Sequence, residues 1–156
     1  MKSVKLLFLF SSFILFSGHA VAQPALRMKA HQVIRRTAIV IHEAHKDVKE
    51  GKVYTGDLSR AIAHQKYARV LFRNGMYDRA IHHSRRARVL AVMAIRANKG
   101  VEIPESKMTA EEEELMKNPP SDDELEKELL KEMPNENMKD EDAVKTSPDV
   151  DMKDKK

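Results

Sequence analysis

The chain of 156 residues contains no cysteine and no tryptophan, and it has only five phenylalanines and five glycines. Without cysteine it has no disulfide, no thiolate metal ligand and no thiol nucleophile. A glycine-rich phosphate loop and a serine set in a strained turn are also missing from the sequence. These absences exclude the commonest enzyme signatures, and we expect a non-enzymatic protein that carries no cofactor.

Proline is absent between Pro24 and Pro104, and no stretch alternates between apolar and polar residues with period two. Apolar residues instead recur at helical spacing, which predicts helices at about 26–50, 57–74 and 77–98. We therefore expect an all-α fold in which residues 23–100 form an antiparallel three-helix bundle. Asp57 is the predicted N-cap of the second helix, and Gly51 and Gly100 are predicted to take left-handed conformations after helices.

Residues 101–156 are rich in acids, lysine and proline and poor in large apolar groups, a composition typical of disorder. We expect a largely disordered acidic tail. Two capping boxes, Thr109 with Glu112 and Ser121 with Glu124, predict short helices within it, near 110–118 and 122–133.

Residues 1–22 have the pattern of an export signal. Two lysines precede an apolar run, and Ala20-Val21-Ala22 matches a cleavage site of the A-x-A type. The apolar run is shorter than the roughly 20 residues that cross a bilayer. We expect a mature chain that begins at Gln23, has no membrane span, and lies in the periplasm or outside the cell.

The charge distribution divides the remaining chain in two. Residues 23–100 carry 17 Lys or Arg against five acids, a net charge of +12, whereas residues 101–156 carry nine Lys against 19 acids, a net charge of −10. Such asymmetry indicates a basic binding surface together with an acidic segment that can compete for it.

Residues 61–91 resemble a single tetratricopeptide-type helical hairpin. Ala68 and Leu71 fill positions of the first helix, Gly75-Met76-Tyr77 forms the turn, and Ala80, Ala87 and Leu90 follow at the family's spacing. The match covers about 31 residues, with histidine and serine at two usually bulky positions, and no second repeat follows. The resemblance implies two closely packed antiparallel helices that need a further helix as cover.

Five arginines of this hairpin are the candidate contact residues, because almost no acids stand near them in the sequence: Arg69, Arg73, Arg85, Arg86 and Arg88. Guanidinium groups favour carboxylates and phosphates, so the expected partner is an acidic protein, an envelope polymer or an anionic lipid. Nucleic acid is disfavoured, because no aromatic platform accompanies the arginines.

Three alternatives to an external acidic partner stay open at this point. The arginines can form a solvated surface, or the acidic segment with Leu125, Leu129 and Met133 on one stripe can dock on them within the chain. The apolar run 89–95 predicts either deep burial or a contact between copies in a homo-oligomer.

The rival hypothesis is a transition-metal site for Zn, Cu or Ni. Folding the predicted helices back on one another brings the following histidines into one column: His42, His45, His64 and His83. The alternation of short helices, turns and histidines also resembles small exported metal-binding helical proteins, which are richer in histidine. The HExxH and di-iron carboxylate spacings are both absent.

Overall fold

The computed structural model describes residues 22–136 and 138–152. Its helices are α1 (Ala22–Gly51), α2 (Asp57–Arg73), α3 (Tyr77–Ala97), α4 (Ala110–Glu114), α5 (Asp122–Glu132) and α6 (Asp140–Ala143), with a 3-10 turn at Pro104–Ser106. No strand occurs among these residues, which confirms the predicted all-helical class. Apart from Ala22, the predicted export signal lies outside the described residues.

The three long helices pack together through stripes of small and branched side chains. α3 packs along both α1 and α2, whereas α1 and α2 contact each other less. Several alanines are fully buried and allow close approach of the helices: Ala30, Ala44, Ala61, Ala68, Ala80, Ala87, Ala91 and Ala94. Ile34, Ile41, Leu71, Ile81 and Leu90 fill the space between them. The apolar residues recur at helical spacing, so each helix turns one stripe inward.

The run at 89–95 is divided between the interior and the surface of α3. Leu90, Ala94 and Ile95 are buried, while Val89 and Met93 expose 44% and 46% of their surface. One face of the run therefore packs in the core, and the opposite face is exposed on the surface of the protein.

The glycines that end α1 and follow α3 serve close packing rather than the left-handed turns that the sequence suggests. At these two helix ends the left-handed residues are the lysines next to the glycines, Lys52 with φ 57° and Lys99 with φ 58°. A Cβ at Gly51 would overlap the side chain of Asn98, and one at Gly100 would overlap a carboxylate on α1. At both places a larger residue would displace a neighbouring side chain, so glycine allows these side chains to pack against the backbone.

The tail wraps around the long helices, and the structure does not confirm its predicted disorder. The 3-10 turn contacts α1 and α3, α5 contacts α2 and α3, and α6 contacts α2. Residues 146–151 reach both α1 and α2. Four apolar side chains of the tail are buried against the long helices, since Leu125, Leu129, Ala143 and Val150 expose at most 4% of their surface. The burial of these side chains, and the attraction between the acidic tail and the basic long helices, offset the entropy cost of ordering the tail. The composition of the tail alone suggests that this cost is too large to offset.

A carboxylate of the tail caps α2. Asp140, which is 2% exposed, accepts the backbone N–H groups of Gly56 at 2.7 Å and Ser59 at 2.8 Å. The prediction that Asp57 is the N-cap is wrong: Gly56 holds that position with φ 87° and has no side chain to cap with. A distant side chain therefore satisfies the free N–H groups at this helix start.

Replacing Asp140 with alanine should lower the free energy of unfolding by about 1–2 kcal/mol, the usual cost of a lost cap. Urea unfolding followed by circular dichroism measures the change. Glu141→Ala is the matched control, because this neighbour is exposed on the same short helix and carries the same charge. Equal losses in both variants would mean that charge alone, and not the cap, accounts for the effect.

Within residues 22–136 and 138–152, no helix combines the length and the apolar composition that a bilayer crossing requires.

Candidate functional site: a basic face covered by an acidic helix

The helix α5 lies on a face shared by α2 and α3 and meets it through both apolar and charged groups. Leu125 and Leu129 are each 4% exposed, and Leu129 joins the core between the long helices. Five ion pairs surround these leucines: Arg60–Glu126 at 3.0 Å, Arg79–Glu124 at 2.8 Å, Arg79–Glu128 at 2.5 Å, Arg86–Asp122 at 2.6 Å and, after the end of α5, Lys66–Glu136 at 2.8 Å. We call the surface of α2 and α3 that bears these four cations the basic face.

The charges on the basic face keep the carboxylates of α5 ionised. Burial raises the pKa of Glu126 and Glu128, but hydrogen bonds and charge from Arg60 and Arg79 outweigh burial, so both pKa values lie below 4.5. Arg79 donates to Glu128 through Nε at 2.6 Å, and this hydrogen bond raises the pKa of Arg79. The pairs are therefore charged at neutral pH.

Two buried histidines lie beneath α5 and connect its carboxylates. The Nδ1 atoms of His64 and His83 are 3.0 Å apart. Nε2 of His64 lies 3.2 Å from Glu126, and Nε2 of His83 lies 3.4 Å from Glu128. Both imidazoles are 0% exposed. The four side chains thus form one continuous chain from carboxylate to carboxylate.

Both imidazoles are harder to protonate than an exposed histidine. Burial lowers the pKa of His64. Burial, together with the charge that His64 would carry, lowers the pKa of His83 to about 4. The carboxylates act in the opposite direction but do not overcome desolvation. The pair is neutral at pH 7.

Arg88 occupies an interior position rather than a contact surface. It is 3% exposed and forms a two-pronged pair with Glu112 of α4, with both N–O distances 2.8 Å. Its Nε donates to Thr37 of α1 at 3.1 Å, and Nη2 donates to the carbonyl of Val33 at 3.3 Å. Burial raises the pKa of Glu112, but the hydrogen bonds and charge of Arg88 bring it below 4.5. The pair joins α1, α3 and the tail.

Glu112 also completes a capping box at the start of α4. Thr109 accepts the N–H of Glu112 at 3.2 Å, and the carboxylate accepts the N–H of Thr109 at 3.1 Å, as the sequence predicts. The box holds the carboxylate in place for Arg88. At the start of α5, Ser121 accepts the N–H of Glu124 at 3.2 Å.

The last described residues of the tail lie in the groove between α1 and α2. Arg69, 7% exposed, donates to the carbonyl of Asp149 and lies 3.4 Å from its carboxylate. Gln65 donates to the carbonyl of Ile34 at 2.7 Å and lies 3.5 Å from that of Val150, which is fully buried. This segment fills a space that the long helices leave between them.

The five arginines named from the sequence do not form one open surface. Arg86 lies on the basic face, and Arg69 and Arg88 are buried against other parts of the tail. Arg85 is half-buried, and Arg73 is exposed at the end of α2. Few acids stand near these arginines in the sequence, but Arg69, Arg86 and Arg88 pair with carboxylates of the tail. Sequence reasoning had no means of assigning pairs across loops.

Sequence reasoning also missed part of the basic face. Arg60, Lys66 and Arg79 were not selected as contact residues, although each pairs with the tail. The available signal was the stripe of Leu125 and Leu129 flanked by acids. Such a stripe indicates that a helix has an apolar side to bury, but it does not identify the cations opposite.

The four histidines of the predicted metal site separate into two places. His64 and His83 face each other, whereas Nε2 of His42 lies 3.0 Å from Asp151, and Nε2 of His45 lies 2.9 Å from the carbonyl of Thr146. Within the described ranges, no group of three or more histidine and carboxylate ligands converges on a metal position. The predicted column is not formed, because His64 and His83 meet between α2 and α3 beneath α5, whereas His42 and His45 on α1 contact the tail segment at 146–151.

Comparisons of the chain with protein-family models, curated proteins and solved structures produce no match.

Proposed function

We propose that this is a non-enzymatic binding protein, exported from the cytoplasm, whose basic face takes up an acidic amphipathic helix from a partner protein. One observation carries the proposal: the chain's own acidic helix, α5, already occupies that face. Its two buried leucines and its carboxylates meet matching groups on α2 and α3. A partner helix of the same pattern would find the same contacts.

The arrangement of the cations favours a helical partner over an envelope polymer or a lipid. Arg60, Arg79 and Arg86 pair with carboxylates at alternate positions of one short helix, while Leu125 and Leu129 lie one helical turn apart between them. A polymer of charged groups would use the cations and leave the apolar contacts unmade. Helix-in-groove recognition uses both.

The proposed folded unit is an antiparallel bundle of α1–α3, with the tetratricopeptide-like hairpin at 61–91. Complete burial of Ala68, Ala80 and Ala87 supports the close helix approach that the resemblance implies. In this proposal α5, rather than the whole tail, is a detachable cover, because a few ion pairs and two buried leucines hold it in place.

In this proposal α5 also competes with the partner helix for the basic face. A segment attached to the same chain has a high effective concentration at its site, so an external helix of equal intrinsic affinity is largely excluded. The protein would bind its partner well only when α5 is released or when the partner makes better contacts.

The test is binding of a fluorescent peptide with the sequence of residues 119–134 to the full chain and to Leu125→Ala/Leu129→Ala. The variant keeps its charges but has lost the apolar anchors of α5, so it should bind the peptide at least about tenfold more tightly than the wild type. Fluorescence anisotropy measures Kd, which should rise with salt because the ion pairs are partly exposed.

Leu130→Ala is the matched protein control, because Leu130 lies on the same helix and is 56% exposed. It should bind the peptide as weakly as the wild type. A peptide with alanine in place of Leu125 and Leu129 should bind neither protein. The proposal fails if a double variant that is folded by circular dichroism binds no better than the wild type. Glu126→Gln/Glu128→Gln provides a second way to loosen α5.

A further inference from the structure

We infer that His64 and His83 form a proton-sensitive latch beneath α5, which holds α5 on the basic face while both rings are neutral and releases it when they become charged. The latch concerns the chain's own helix and does not depend on an external partner. It rests on the uninterrupted chain of contacts from Glu126 through the two imidazoles to Glu128.

A count of protons shows which contact in this chain is weak. Two neutral imidazoles carry two N–H groups, whereas the three contacts of the chain each need one. The two shorter contacts, at 3.0 and 3.2 Å, have hydrogen-bond distances. At 3.4 Å, Nε2 of His83 makes no hydrogen bond with Glu128. In the neutral pair, His83 therefore donates through Nδ1 to His64, which donates through Nε2 to Glu126.

The groups that surround the pair do not supply a full counter-charge for a proton. α5 contributes Glu126 and Glu128, but both already pair with arginines. The facing charges on the long helices are all positive, Arg60 from α2 and Arg79 and Arg86 from α3. Tyr67 packs edge-on against His83 with ring centroids 4.6 Å apart, and burial raises its pKa to about 12, so it stays neutral. An added proton therefore remains largely uncompensated in a buried site.

The lowered pKa values determine whether acid favours the docking or the release of α5. With α5 docked, both histidines have pKa values below the ordinary 6.5, and that of His83 is about 4. Once α5 leaves, the Nε2 edges face water and the pKa values return toward their ordinary range. The released state then binds more protons between about pH 6.5 and pH 4, so acidification favours release. Docking is strongest above about pH 6.5.

The test uses the absence of cysteine from the chain. A single Leu129→Cys substitution places one thiol beneath α5, and its labelling by 4,4′-dithiodipyridine reports how often α5 opens. At each pH, the labelling rate of the isolated α5 peptide with the same cysteine is divided by the labelling rate of the protein. This ratio is the protection of the thiol, and it removes the pH dependence of the thiol itself. Between pH 7.5 and pH 5.0 this protection should fall on the order of tenfold. Glu126 and Glu128 stay ionised in this range, since both pKa values lie below 4.5.

Two further variants assign the effect to the pair. His83→Gln should remove most of the pH dependence, whereas His82→Gln should keep it, because His82 is a buried neighbour on α3 that pairs with Asp78. Leu125→Cys repeats the measurement from the other buried leucine. NMR titration of the otherwise unaltered chain should place the pKa of both His64 and His83 below 6.5. Protection that stays constant or rises on acidification, or a His83→Gln protein that behaves like the wild type, would overturn the latch.

Discussion

Replacing Glu112 with alanine is expected to lower the free energy of unfolding by about 3–5 kcal/mol, the usual cost of removing one member of a buried ion pair. Arg88 would remain inside the protein at 3% exposure with no carboxylate, because its two shortest hydrogen bonds both go to Glu112. Small domains have about 5–15 kcal/mol of stability in total, so the loss is a large share. Urea unfolding at pH 7, followed by circular dichroism, measures it.

The double variant Arg88→Met/Glu112→Leu separates the cost of an unpaired charge from the value of the pair. Replacing both partners by apolar residues of similar size is commonly neutral or stabilising, so this variant should recover most of the lost stability. Glu113→Ala removes an exposed neighbour of equal charge and should change stability by less than about 0.5 kcal/mol. If Glu112→Ala behaves like Glu113→Ala, the tail does not dock on Arg88 as described.

Deleting residues 140–156 should lower the free energy of unfolding by about 3–5 kcal/mol, from the lost cap on α2 and the lost burial of Val150 and Ala143. Asp140 supplies the cap, and Val150 is fully buried where Arg69 and Gln65 meet the chain's last described residues. A disordered tail would produce no loss. The same urea experiment therefore distinguishes a wrapped tail from a disordered one.

The substitution pair Asp140→Ala/Val150→Ala keeps the chain length and should reproduce a large part of the deletion's effect. Glu141→Gln provides a control for the loss of one acidic charge. A deletion variant whose stability lies within about 0.5 kcal/mol of the wild type would contradict the packing of this segment.

The proposed latch and the proposed competition would together give α5 a regulated role that does not require a change in the core. Leu125 and Leu129 contribute apolar contact at any pH, whereas the protonation of His64 and His83 changes the docking of α5 between about pH 6.5 and pH 4. A protein that faces changing external pH would then expose its basic face in acid and cover it at neutral pH. The peptide test and the thiol test can fail separately. The first measures the binding of an added helix, whereas the second measures the release of the chain's own α5.

The helices themselves could be predicted from local sequence. Apolar spacing of 3.6 residues, the missing prolines and the box at Thr109 act within a few positions of the chain, so their effects can be read without a fold. The predicted boundaries 57–74 and 77–98 differ by one residue from α2 and α3. The opposite charges of residues 23–100 and 101–156 are likewise a property of composition.

The pairing of those charges, by contrast, was decided only by the tertiary structure. Asp140 caps a helix 84 residues earlier in the chain, and Arg88 meets a carboxylate 24 residues later. His64 and His83 face each other because of how α2 and α3 are rotated, while His42 and His45 face the tail. Local sequence determines which stripe of a helix is apolar, but the path of the connecting loops and the balance between desolvation and charge determine which partners meet.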